Sequence, residues 1–240
     1  MKFKLYQIDA FTSEPFKGNP AAVVPLKEWL DDETMQNIGL ENNLSETAFF
    51  VKEGDHYHIR WFTPAIEVPL CGHATLASSY VIFNYLQPGL NKIHFQSKSG
   101  ELIVTKENDQ ISLNFPANRP KPVAPHPQIL EAVTAPPNEI LFNDSYLAIF
   151  EDEDIVRNMK LNIRALDDLN DAGLIISARG NQVDFVSRFF IPAAGIDEDP
   201  VTGYAHTILT PYWSEKLNKK KLHALQVSKR GGELWLEDLG

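Results

Sequence analysis

Thiols and basic residues are both scarce in this chain. Cys71 is the only cysteine among 240 residues, which excludes an internal disulfide and is typical of a reducing compartment. Lysine and arginine number 22 against 32 acidic residues, and the formal net charge is −10. A general nucleic-acid or anionic-membrane binder normally presents a basic face, so the charge balance argues against both classes of partner.

Long hydrophobic runs are also lacking. The segment Met1–Asp9 has no continuous apolar core, so it does not have the pattern of a signal peptide. No run approaches the roughly 20 apolar residues that a membrane span requires. Neither of the common glycine-rich nucleotide-binding loops is found. These absences predict a soluble cytoplasmic protein without a membrane partner and without a nucleotide cofactor.

Two apolar, helix-length runs each follow a turn of small and acid/base residues. The run 74–86 contains no charged residue and follows Leu70-Cys71-Gly72-His73. A helix that is apolar on every side must be buried. The second run, 202–209, follows a predicted acidic turn at 197–200. Thr210-Pro211 is predicted to cap and begin a new helical segment that reaches Leu217.

A proline-rich connection divides the chain. Residues 116–127 contain five prolines, which indicates a stiff, extended linker. Strands, an acid/base turn, a buried helix and further strands occur in that order on both sides of it. We therefore predict two related halves, 1–116 and 128–240, joined by 117–127. Three strands are predicted after the first helix but only two, 225–230 and 232–236, after the second, so the second half is expected to lack its last strand.

The helix starts are where chemistry is expected. Unpaired amides and the helix dipole attract anions there, and Gly72 and Gly203 allow a substrate to approach the backbone. His73 titrates near neutral pH, and Glu46 and Asp199 are candidate acid/base carboxylates. Structural roles are open for each of them: a helix cap for His73, a turn before proline for Asp199, and an exposed strand end for Glu46.

Other chemistries fit the pattern less well. A nucleophilic Cys71–His73 pair lacks an evident Asn or Asp partner, and side chains two residues apart at a helix start need not meet. A zinc site made by Cys71, His73 and His206 lacks the usual paired ligand spacing. His206 is more typical of a core or interface histidine. No metal site is predicted.

Five ordered motifs resemble the PhzF family of phenazine-biosynthesis-like isomerases. They are Tyr6-Gln7-Ile8-Asp9-Ala10-Phe11, Gly18-Asn19-Pro20-Ala21-Ala22-Val23, Asn43-Leu44-Ser45-Glu46-Thr47-Ala48-Phe49, Cys71-Gly72-His73-Ala74-Thr75 and Glu198-Asp199-Pro200-Val201-Thr202-Gly203. The resemblance implies an α/β (α+β) protein with two pseudo-symmetric, diaminopimelate epimerase-like halves. In that fold each half is a curled mixed sheet around a central helix, and the active site lies in the cleft between the halves.

The resemblance also implies roles for single residues. Glu46 would be the general acid/base, and His73 and Asp199 would bind and orient the substrate. The positions implied to bind substrate are Gly72, Gly203, Tyr204 and Asn19. The characterised family reaction isomerises trans-2,3-dihydro-3-hydroxyanthranilate by moving a proton and a double bond without a cofactor. A small carboxylate-bearing substrate and a homodimer are therefore expected.

Two features of this sequence bear on the chemistry. Many family members have serine where this chain has Tyr204, so a reshaped pocket is expected. Racemisation on this fold by two thiols is excluded, because Cys71 is the only thiol. The alternatives that stay open are an epimerase or racemase that uses acids instead, and a catalytically silent small-molecule-binding protein.

Overall fold

The computed structural model describes residues 2–167, 169 and 172–240. Its backbone divides into two compact units. Of the described residues, 2–10 and 19–115 form the first unit, and those within 11–18 and 116–240 form the second. Residues 11–18 belong to the second unit, although they lie near the start of the chain. No helix in the described part of the chain is both long and apolar enough to cross a bilayer.

The first unit is one mixed sheet with two helices. The strands are β1 (Tyr6–Ala10), β2 (Asn19–Leu26), β3 (Glu46–Glu53), β4 (His56–Phe62), β5 (Glu67–Val68), β6 (Lys92–Ser97), β7 (Gly100–Glu107) and β8 (Gln110–Leu113), and the helices are α1 (Asp32–Asn42) and α2 (Gly72–Val81). The sheet order is β1-β2-β3-β4-β6-β7-β8, with the short β5 on β4. A π-helical turn, Ile82–Leu86, continues α2 to the end of the predicted helix.

Helix α2 is buried against the sheet, as the lack of charged residues in 74–86 predicts. Ala74, Ala77 and Val81 lie in a core that also includes strand residues such as Phe50 and Trp61. The three buried serine and threonine hydroxyls of the helix do not need outside partners, because each bonds to a carbonyl one turn earlier. These bonds are Thr75 Oγ1 to Cys71 O, Ser78 Oγ to Ala74 O and Ser79 Oγ to Thr75 O. Such bonds allow a polar side chain to lie in an apolar environment.

The second unit repeats this plan with its own sheet. The strands are β9 (Lys121–Pro122), β10 (Glu139–Asn143), β11 (Ser145–Ile149), β12 (Leu174–Arg179), β13 (Phe185–Ile191), β14 (Ile196–Asp199), β15 (Lys221–Gln226) and β16 (Gly232–Glu237), and the helices are α3 (Pro127–Ala132), α4 (Glu153–Asn158) and α5 (Gly203–Leu217). Two short 3₁₀ turns lie at Ile163–Leu166 and Pro192–Ala194. The sheet order is β16-β15-β13-β12-β11-β10-β9, with β14 on β13.

The two sheets share one internal topology. In the first, β2 to β6 are joined by parallel, antiparallel and parallel pairings, and β5 lies antiparallel to β4. In the second, β11, β12, β13 and β15 repeat the same series, with β14 antiparallel to β13. Three strands follow α2, whereas two follow α5. Each described sheet nevertheless has eight strands, because the second gains β9 at its opposite edge.

Helix α5 is continuous, so the prediction of a new segment at Pro211 was wrong. A proline inside a helix cannot donate to the carbonyl four residues earlier. Here that carbonyl, Thr207 O, accepts instead from the backbone N–H of Asn118 at 3.0 Å. The Asn118 side chain also donates to Thr207 Oγ1 at 3.1 Å. The linker segment thus satisfies the group that Pro211 leaves free, and the helix continues to Leu217.

Two local predictions in this unit also need correction. Residues 197–200 were predicted as a turn, but Ile196–Asp199 is a short strand paired with β13. The strand predicted at 225–230 lies earlier, at Lys221–Gln226, and pairs parallel to β13. The alternation of buried residues begins at Leu222, three residues before the predicted strand.

Packing of α5 on its sheet should dominate the stability of the second unit. Ile208 is fully buried there, whereas Leu130 on α3 is about half exposed. We expect Ile208→Ala to lower the free energy of unfolding by about 2–5 kcal/mol, because it removes buried methyl groups and leaves a cavity. Chemical denaturation measures this, and Leu130→Ala is the control. Equal effects of the two changes would contradict the packing described here.

Candidate active site

Glu46 is the first residue of β3 and lies opposite Ala21 on the parallel neighbour β2. Its side chain is 15% exposed, so it is not the freely solvated strand end that one alternative required. Asn19 begins β2 on the adjacent strand and is fully buried. Its Oδ1 lies 3.4 Å from the hydroxyl of Ser45, directly before Glu46. Sheet register therefore holds both predicted residues at the same end of neighbouring strands.

His73 is the second residue of α2 and is 7% exposed. One ring nitrogen, Nε2, lies 3.1 Å from Glu46 Oε2. The other, Nδ1, lies 3.5 Å from Cys71 Sγ. Cys71 is the N-cap residue of the helix and makes no side-chain capping bond. The ring thus contacts both a carboxylate and a thiol, so the side chains of Cys71 and His73 do meet in this structure.

The contact between Glu46 and His73 is close but is not a well-formed hydrogen bond. Glu46 Oε2 and His73 Nε2 are both buried, and neither has a hydrogen-bond partner of acceptable geometry among the described residues. Their 3.1 Å separation is therefore an electrostatic contact whose angle is wrong for hydrogen bonding. Buried polar atoms without partners are rare in folded proteins. Both atoms retain the capacity to bond to a further group.

Charge at this site is set by opposing effects. Burial lowers the pKa of His73, but its electrostatic and hydrogen-bonding interactions with Cys71 and Glu46 raise it, and the net pKa is well above the ordinary value. Burial and the nearby Glu46 carboxylate raise the pKa of the Cys71 thiol. Cys71 is consequently a neutral thiol near pH 7, and the Glu46 carboxylate is the charge that favours a protonated His73.

Neither predicted glycine is required by packing within its own unit. A Cβ at Gly72 would meet the Phe115 ring at 3.4 Å, and one at Gly203 would meet the Phe11 ring at 3.6 Å. Both are ordinary van der Waals distances, and neither glycine has the positive φ that disfavours a side chain. Open backbone at two helix starts is consistent with the approach of a ligand.

Asp199 ends β14 in the second unit and organises the start of α5. Its carboxylate accepts a short hydrogen bond from the hydroxyl of Thr202. The side chain of Gln226 ties the same turn together: Nε2 donates to Asp199 O at 2.7 Å, and Oε1 accepts from Thr202 N at 2.8 Å. Asp199 therefore has a structural role here. The contribution of Gln226 was missed, since a glutamine at a strand end carries no distinctive sequence signal.

Tyr204, on the first turn of α5, is 40% exposed. Its phenol oxygen lies 3.3 Å from Ser145 Oγ on β11. Burial raises the pKa of Tyr204, and the nearby Asp144 carboxylate acts in the same direction, so the phenol is neutral. The ring is tilted against Phe189. Within its unit, Tyr204 offers a hydroxyl group and a partly exposed aromatic edge.

His206 is a core histidine of the second unit. It is 3% exposed, its Nδ1–H donates to Thr202 O at 2.8 Å, and its ring stacks on Phe185. Burial lowers the pKa of His206 to about 4. The ring is therefore neutral at pH 7.

The structure thus arranges the predicted residues in two groups. Glu46, His73, Gly72 and Asn19 belong to the first unit, and Glu46 and His73 are in direct contact. Asp199, Gly203 and Tyr204 belong to the second unit, around the start of α5.

Comparison with known proteins decides the family. Residues 8–237 match the phenazine biosynthesis-like protein family, PhzC-PhzF. An uncharacterized isomerase of Pseudomonas aeruginosa is 51% identical to this chain over 98% of the chain and 90% of its own length. The chain belongs to the PhzF family.

Solved structures agree with this assignment. A PhzF-family phenazine biosynthesis protein from Enterococcus faecalis has a TM-score of 0.96 at 47% identity, covering 99% of this chain and 92% of that one. A hydroxyproline epimerase from Agrobacterium vitis has a TM-score of 0.59 at 8% identity, covering 97% and 83% respectively. The second likeness concerns the fold alone. The predicted fold class, two epimerase-like sheets each with a central helix, is confirmed.

A separate cavity of about 160 Å³ in the second unit of this PhzF protein does not include any of the predicted site residues. Arg119, Glu139, Tyr212 and Lys216 contribute to its lining. Three of these polar groups already pair with one another, since Tyr212 OH donates to Glu139 Oε2 at 2.8 Å and Lys216 Nζ lies 3.2 Å from the same oxygen. The Glu46–His73 contact is the better candidate for chemistry.

The neutral, buried His206 of this PhzF protein should make stability pH-dependent. An unfolded histidine titrates near pH 6.5, whereas folded His206 titrates at about 4, so protons bind the unfolded chain preferentially between these values. As the pH falls from 6.5 to about 4, we expect His206 to lower the free energy of unfolding by about 3 kcal/mol.

The measurement compares denaturation of wild type and His206→Gln from pH 7 to pH 4. The variant should lose less stability over this range. His94→Gln is the matched control, because the His94 side chain is 39% exposed. Parallel profiles for wild type and His206→Gln would contradict a neutral buried ring.

Proposed function

We propose that this protein is an isomerase that moves a proton, together with a double bond, on a small cyclic or amino-acid-like carboxylate. The observation that carries the proposal is the buried contact between Glu46 Oε2 and His73 Nε2, two polar atoms without hydrogen-bond partners among the described residues. Membership of the PhzF family and relatives named as isomerases support the same reaction class.

In the proposed mechanism, Glu46 is the general acid/base. Its carboxylate removes a proton from a carbon next to a double bond, and the electron pair of that C–H bond moves into the conjugated system. The resulting carboxylic acid returns the proton to a different carbon as the double bond shifts. Atoms and charge balance without a cofactor, because the same proton leaves and re-enters the substrate.

His73 and the start of α2 are proposed to stabilise the intermediate. Proton removal leaves negative charge on the substrate, and a protonated His73 beside Glu46 can offset it. The amides at Gly72 and His73 lie at the positive end of the helix, where a substrate carboxylate would be favoured. Both groups are already in position before the reaction, so they need little reorganisation when negative charge develops on the substrate.

Substrate binding is proposed to extend to the other predicted residues. Asn19 lies at the strand end beside Glu46. Asp199, Gly203 and Tyr204 offer a carboxylate, helix-start backbone and a phenol hydroxyl. Asp199 is proposed to orient a polar substituent of the substrate in addition to its bond with Thr202.

Substitution of Glu46 tests its proposed role as the general acid/base. Glu46→Gln preserves size but cannot accept a proton, so turnover should fall by at least about 100-fold. The first probe is trans-2,3-dihydro-3-hydroxyanthranilate, followed by other small cyclic amino acids chosen by thermal shift. Glu53→Gln is the matched control, because Glu53 lies on the same strand with its side chain 47% exposed. A Glu46→Gln variant with wild-type turnover would remove Glu46 from the mechanism.

Proton NMR of the product formed in D₂O identifies the reaction class. A shifted double bond is the expected outcome. Deuterium at a single carbon with loss of its chirality would instead indicate an epimerase or racemase. Absence of turnover on every compound that stabilises the protein would favour a silent binding protein.

The proposed substrate-binding role of Asp199 can be tested separately from its hydrogen bond with Thr202. Asp199→Asn should raise KM by about tenfold or more, the cost of losing a hydrogen bond to a charged group. Thr202→Val removes the bond between Thr202 and Asp199 but leaves the carboxylate in place. If both variants change KM and thermal stability equally, Asp199 acts only in ordering α5, and its binding role is refuted.

A further inference from the structure

We propose that Glu46, Cys71 and His73 bind one borderline divalent cation of the Zn²⁺ type. One ligand atom from each residue lies within 4.8 Å of those from the other two. Carboxylate oxygen, thiolate sulfur and imidazole nitrogen together form a ligand set that zinc prefers, and they would leave a fourth position open. This group differs from the zinc site that the sequence argued against, because Glu46 replaces His206 as a ligand.

The separations are close to those of a metal site. Ligand atoms around tetrahedral zinc lie roughly 3.3–3.7 Å apart, given metal–ligand bonds of about 2.0–2.3 Å. Cys71 Sγ lies 3.5 Å from His73 Nδ1, and Glu46 Oε2 lies 3.1 Å from His73 Nε2. These two contacts involve opposite ring nitrogens, and a metal uses only one of them. Binding through Nε2 keeps Glu46 Oε2 in place and requires Cys71 Sγ to move toward that nitrogen, from within 4.8 Å.

A second observation points to a ligand at this position. His73 is more than nine-tenths buried, and its Nε2 lacks a hydrogen-bond partner among the described residues. Glu46 Oε2 is likewise a buried atom without a hydrogen-bond partner among the described residues. A cation would satisfy both atoms, and on binding the Cys71 thiol would release its proton to solvent.

Occupation of this site would be inhibitory. It uses the carboxylate that the proposed function needs for proton transfer, so this consequence rests on that proposal. Cation binding itself does not depend on it.

Cobalt(II) is the probe, because it replaces zinc and reports its ligands by absorption. Cys71 is the only cysteine, so any thiolate-to-cobalt charge-transfer band must come from it. Titration of the full-length protein should produce that band, saturating at one equivalent, and Zn²⁺ should displace it. Cys71→Ser should abolish the band, and Glu46→Gln and His73→Asn should each weaken Co²⁺ affinity by at least about tenfold.

The matched control uses a competing surface cluster. His56, His58 and Glu53 lie close together on β3 and β4, with 3.7 Å and 3.8 Å between ring nitrogens and the carboxylate. His58→Gln should leave the charge-transfer band unchanged. Cobalt binding without that band, retained in Cys71→Ser and lost in His58→Gln, would place the cation on the surface and overturn the proposal. Circular dichroism confirms that each variant is folded.

Activity separates this inference from the proposed isomerase. If Zn²⁺ displaces Co²⁺ from the site but turnover is unaffected, the site exists but Glu46 is not the acid/base. If Co²⁺ gives no thiolate charge-transfer band while Glu46→Gln still abolishes turnover, the cation site is refuted and the isomerase proposal stands.

Discussion

The candidate site depends on one constraint: a carboxylate and an imidazole are held 3.1 Å apart in a place from which water is largely excluded. Removing a charge from water is costly unless an opposite charge lies nearby. Glu46 and His73 supply that compensation for each other. Because their geometry does not complete a hydrogen bond, each keeps part of its bonding capacity for a third group.

The fold fixes that contact from two directions. Parallel pairing of β2 with β3 fixes the position of Glu46 at the end of its strand. The helix α2 packs against the same sheet through its apolar residues, and this packing fixes the position of its first turn, which carries His73. A helix start needs such support, because its orientation follows from packing along its whole length. The second unit repeats the arrangement with Asp199 and α5, where Gln226 orders the turn.

The two buried helices and the position of Glu46 could be predicted from the sequence, because each depends on a short, local pattern of residues. An uncharged run predicts a buried helix, and the motif around Glu46 carried the family resemblance. Other features depended on contacts distant in sequence. Pro211 suggested a helix break, since nothing near it shows that Asn118 satisfies Thr207 O. The meeting of Cys71 with His73 depends on side-chain directions that spacing alone does not fix.

A double-mutant cycle tests, without a substrate, whether Glu46 and His73 interact directly. Unfolding free energies are measured for wild type, Glu46→Gln, His73→Gln and the double variant. Contacting charged residues typically give a coupling energy of about 0.5–3 kcal/mol, and we expect a value in this range that stabilises the wild-type pair. Effects that add to within about 0.3 kcal/mol, as they do for distant residues, would contradict the account.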